Sequence, residues 1–62
     1  MARTAPLLTE AQVAELLGTS TRQVKNLRDH RRLPFVKVGH LVRFRPTDID
    51  AWIDANTVAA RP

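Results

Sequence analysis

Residues 9–27 read TEAQVAELLGTSTRQVKNL, and this stretch carries one helix-start signal twice with a single glycine between the two copies. Thr9 is followed three residues on by Gln12, and Ser20 by Gln23. At that spacing a hydroxyl and an amide side chain can satisfy each other's free backbone N–H groups, so both sites predict helix starts. Leu8, just before the first cap, is placed to pack on Val13 as a hydrophobic staple. Gly18 supplies the left-handed residue that ends the first helix, predicted over 10–17, with Val13, Ala14, Leu16 and Leu17 as its inward stripe. The second helix, predicted over 21–31, follows after only Gly18, Thr19 and its own cap, Ser20. Two capped helices across a short glycine-containing turn spell a helix-turn-helix, a pattern that helical hairpins of other kinds share.

On a helical wheel the second helix divides. Val24 and Leu27 share one side and face a core, while Arg22, Lys25, Asn26 and Asp29 centre on the other, with Thr21 at the exposed amino end. Arginine and lysine donate to the acceptor edge of guanine and asparagine pairs bidentately with adenine, so Thr21, Arg22, Lys25 and Asn26 are candidate base-reading residues. An ordinary solvated face with a Lys25–Asp29 pair fits the same wheel. Charge separates the two readings. Residues 20–45 hold eight of the ten basic residues and one of the six acids, a net +7 inside a chain of net +4. A field gathered on one segment points to a polyanionic partner, and Ser20, Arg28, Arg31 and Arg32 are candidate phosphate contacts beside the reading face.

Beyond the second helix, Leu33-Pro34 interrupts helical geometry. Residues 35–45, FVKVGHLVRFR, then read as a hairpin around a glycine. A two-residue Gly39-His40 turn would pair Val36 with Arg43 and mix core with charge. A three-residue Gly39-His40-Leu41 loop pairs Val38 with Val42 and Val36 with Phe44, which predicts one apolar face and an opposite basic face with Lys37 against Arg43 and Arg45 nearby. Lys37, Arg43 and Arg45 are the candidate phosphate contacts of this hairpin. Pro46 suits the first position of a third helix over 46–55, in which Asp48 and Asp50 favour the positive first turn and Ile49, Trp52 and Ile53 form the buried stripe, with Trp52 as core anchor. Residues 1–6 are expected as a loose leader, 7–55 as one domain and 56–62 as a frayed tail.

A chain of 62 residues fits one domain with a small core. It has no cysteine, so neither a disulfide nor a thiolate metal site braces it, and His30 and His40 stand ten apart without metal-ligand spacing. No apolar run approaches the roughly 20 residues of a membrane span, no signal peptide is evident, and no nucleophile has a base partner. The expectation is a soluble, non-secreted, non-enzymatic protein with no cofactor, no metal and no membrane association.

The full order of motifs is LLTEAQVAELLGTS (7–20), VKNL (24–27), LPFVKVG (33–39) and RFRPTDIDAWI (43–53). This resembles the excisionase-like branch of the MerR superfamily, small winged helix-turn-helix proteins that serve as recombination directionality factors. The resemblance implies that the second helix enters the major groove of double-stranded DNA, the hairpin wing touches backbone and minor groove through Lys37, Gly39, His40 and Arg43, and the third helix braces the wing. It also implies binding side by side on neighbouring sites, bending of attachment-site DNA and an integrase as partner, in the bacterial cytoplasm on the nucleoid. Two other readings stay open, a small MerR-like transcriptional regulator and a protein-interaction module whose basic face docks an acidic partner. Three positions depart from the pattern. Arg31 stands where a glycine usually follows the second helix, so that helix is expected to run on or to end without a left-handed cap. Thr19 replaces a customary valine or isoleucine, and the wing tip carries His40 and Leu41 in place of cations.

Overall fold

The computed structural model describes residues 6–60. Its elements are α1 (Glu10–Leu17), α2 (Thr21–Asp29), β1 (Val36–Val38), β2 (Leu41–Arg43) and α3 (Pro46–Ala55). Three helices with an antiparallel hairpin between the second and third make a winged helix-turn-helix. Most of the leader expected over 1–6 lies outside the described residues, and residues 57–60 of the tail carry no helix or strand.

Both caps form, to different degrees. Thr9 Oγ1 accepts from Gln12 N–H at 3.1 Å and Gln12 Oε1 accepts from Thr9 N–H at 2.9 Å, a complete reciprocal box. Ser20 Oγ accepts from Gln23 N–H at 3.2 Å, and the Gln23 side chain is not recorded as returning the bond. At the other end of α1, Gly18 takes φ 68° while its N–H donates to Glu15 O and that of Thr19 donates to Ala14 O, which satisfies two carbonyls of the last turn.

The second helix departs from expectation at its end. It stops at Asp29, with His30 as cap, and Arg31 itself adopts the left-handed conformation at φ 58°. Arg31 N–H donates to Arg28 O and Arg32 N–H to Leu27 O, repeating the two bonds that close α1. The carbonyls at the helix end are satisfied only if the chain turns left-handed there, and this requirement prevails over the arginine side chain's preference against it.

A fully buried set, Val13, Ala14, Val24, Leu33, Phe44 and Ile49, joins all three helices to the wing. Leu33, which the helix-breaking proline follows, is completely buried and had no part in the expected core. Leu16 is 63% exposed and not inward as predicted. At 100° per residue it lies roughly 110° around the helix from the middle of the Val13, Ala14 and Leu17 arc. Trp52 packs against the core at half-burial, so the anchor is Phe44, with no exposed surface, and not the tryptophan.

The hairpin register corrects the parity argument. Val36 pairs with Arg43, Lys37 with Val42 and Val38 with Leu41, so Gly39 and His40 form a two-residue turn. Gly39 has φ 64° and His40 is not in the positive range, the φ pattern of the hairpin turn that takes glycine first. Turn geometry outweighs valine burial here because Phe35, Val42 and Phe44 on the alternate face already fill the space against the core. One further bridge ties the chain before α1 to the wing, Leu8 opposite Phe44.

Candidate nucleic-acid interface

Helix α2 is held by its apolar side and free on the other. Val24 has no exposed surface and Leu27 is half-buried, whereas Thr21, Arg22, Lys25, Asn26 and Asp29 are exposed. Among the described residues no side-chain hydrogen bond or ion pair is recorded for Thr21, Arg22, Lys25 or the Asn26 amide. Four donor or acceptor groups therefore stand on one face, unspent and spaced as the wheel required. Shallow hollows flank this face, one of about 210 Å³ bounded by Glu10, Thr21, Arg22 and Lys25 and one of about 340 Å³ that includes Asn26 and His30.

The flanking cations are not equivalent. Arg28 is committed internally: its Nη1 lies 2.9 Å from Glu10 Oε2, while its Nη2 and Nε lie 3.0 and 3.1 Å from Asp29 Oδ1. This pairing was no part of the phosphate-contact expectation for Arg28. The cause is the α1–α2 packing, which brings the first residue of α1 against the side of α2. Arg31 lies over the Phe35 ring with its guanidinium carbon 5.7 Å from the centroid, joining the end of α2 to the wing's base. Arg31 and Arg32 also border a cleft of about 790 Å³ whose apolar wall is Leu17, Leu27 and Trp52, so both sit beyond the end of α2 and not on its free face.

Sequence reasoning assigned no part to the His30 side chain. Its Nδ1 lies 2.7 Å from Asn26 O, and because a carbonyl only accepts, Nδ1 is the donor. The bond spans one helical turn and fixes the end of α2. The i, i+4 spacing of Asn26 and His30 was the available signal.

In the wing the single basic face predicted from parity does not form. Lys37 shares a face with Val42, whereas Arg43 shares the other with Val36, so the two cations point to opposite sides of the hairpin. Arg43 is half-buried and its Nη1 donates to Val42 O at 2.8 Å. Lys37, Gly39, His40 and Arg45 are exposed. The face that carries Arg43 is otherwise apolar, with Val38 47% and Leu41 48% exposed as a directly opposed pair near the tip.

Among the described residues no helix is long and apolar enough to cross a membrane. No curated protein and no solved structure matches the chain. The profile of a family described as a helix-turn-helix domain matches residues 7–57, nearly the whole of the described fold. With the capped helix pair, the free face of α2 and the wing in that same span, the chain belongs to the helix-turn-helix domain family.

Proposed function

We propose that this protein binds double-stranded DNA sequence-specifically and acts as an excisionase, bending attachment-site DNA and steering an integrase toward excision. The observation that carries the DNA reading is the division of α2, with Val24 sealed in the core and Arg22, Lys25 and Asn26 free on the opposite face. Arg22 and Lys25 donate to guanine O6 and N7, Asn26 takes adenine N6 and N7, and Thr21 contacts the groove at the helix start. Ser20, Arg31 and Arg32 hold phosphates beside the groove. Gly39 and His40 bring the wing tip to the backbone, with Lys37 on one side and Arg43 and Arg45 on the other.

A module of this size covers roughly 600–1,000 Å² of protein surface on DNA, which limits what one copy achieves alone. Side-by-side copies and an integrase supply the remaining affinity, and bending gives specificity through the deformability of the site. The setting is the bacterial cytoplasm, on the nucleoid. A gel-shift titration on attachment-site DNA tests this reading. It expects stepwise, cooperative complexes and the retarded mobility of bent DNA. Single, sequence-indifferent complexes would contradict it, and a specific footprint at a promoter without any effect on excision would assign the same fold to transcriptional regulation.

A further inference from the structure

Glu10 belongs neither to the apolar core nor to the free surface. It is the first residue of α1, its side chain is 24% exposed, and Oε2 is shut off from solvent. Its recorded counter-charge is Arg28 Nη1 at 2.9 Å, close enough for an ion pair although out of line for a directed hydrogen bond. The Arg28 side chain is only 18% exposed and meets Asp29 with its remaining nitrogens. One guanidinium thus lies between two carboxylates, on the flank of α2 that Thr21 and Lys25 also occupy. Glu10 borders the hollow that those two residues share with Arg22.

A free arginine at the edge of a recognition helix is the side chain best suited to a phosphate oxygen. We propose that Glu10 is an internal competitor for that role. It holds Arg28 from the buried side, while Asp29, its side chain 58% exposed, adds only a screened surface pair, so that this cation positions α2 on α1 and does not add to sequence-independent DNA affinity. Phosphate contacts strengthen binding to every sequence and steepen its salt dependence, whereas Arg22 and Asn26 act through base edges. Glu10 therefore limits generic binding without touching the reading face. The proposal rests on the DNA-binding reading above.

The experiment is fluorescence anisotropy of the full chain on a short mixed-sequence duplex across a KCl series. Glu10→Gln should bind about eightfold tighter near 0.1 M salt, with the slope of log K against log salt steeper by about 0.9, as one added phosphate contact requires. The double variant Glu10→Gln with Arg28→Gln should return to the slope of the unmodified protein. An unchanged slope in Glu10→Gln overturns the proposal. So does a double variant that stays steep, because the gain then comes from removing an acid's own repulsion of phosphate. A protein whose unmodified form fails to bind the duplex at low salt overturns the DNA reading itself. If circular dichroism finds Glu10→Gln unfolded, the 15N resonance of Arg28 Nε in the unmodified protein decides. Insensitivity to saturating duplex supports the lock, and a shift on binding overturns it.

Discussion

Leu8 and Phe44 exchange both of their backbone hydrogen bonds, each 2.8 Å long, and so clip the segment before α1 to the residue just past β2 that carries the largest fully buried side chain. A two-stranded hairpin has little stability by itself in water, and this bridge gives the wing a third partner. Leu8→Pro removes one of the two donors and leaves Phe44 O without a partner in the interior. The expected cost is about 1–3 kcal/mol in urea unfolding, with faster amide exchange at Phe44.

Phe44 and Leu16 separate burial from hydrophobicity. Phe44→Ala should cost about 3–5 kcal/mol, most of the stability available to a domain this small, and should appear as a broad or absent thermal transition. Leu16→Ala, at a site 63% exposed, should change stability by less than about 0.5 kcal/mol.

These two residues also indicate what the sequence made legible. Helix starts were readable because capping is local: Thr9 with Gln12 and Ser20 with Gln23 each use one spacing of three residues. The free face of α2 was readable because a wheel needs only the helical period. Wing register was not, since the Val36–Arg43 pairing depends on which of two alternating faces the tertiary core leaves room for. The internal pairing of Arg28 was hidden for a similar reason. Its partner Glu10 lies on another helix, and no local pattern in α2 announces that acid.

The left-handed Arg31 predicts a reversal of the usual ranking of small side chains. Arg31→Ala and Arg31→Gly both lose the Phe35 contact and the charge, so their difference isolates the backbone. The glycine variant should be more stable than the alanine variant by about 1 kcal/mol in denaturant unfolding. Inside a right-handed helix the order would be opposite.

Gly39 makes the complementary case in the wing. A β-carbon there meets nothing within 4 Å, so Gly39→Ala should carry only the backbone penalty of φ 64°, about 1–2 kcal/mol, without a clash. The turn itself is checked by nuclear Overhauser contacts. Cross-strand contact between Val38 and Leu41 is expected, and a direct Val38–Val42 pairing would restore the longer loop.

The central claim is that the free face of α2 reads bases while the wing only positions. The most direct measurement is selection of preferred duplexes from a randomised pool by the unmodified protein and by Arg22→Ala, Asn26→Ala and Lys37→Ala, followed by affinity measurements on the selected site. Arg22→Ala and Asn26→Ala should each cost about 1–3 kcal/mol and relax base preference at separate positions. Lys37→Ala should weaken all sequences alike and reduce the salt slope by about 1. Identical behaviour of the three variants, with base preference unchanged in each, would contradict the assignment of reading to α2.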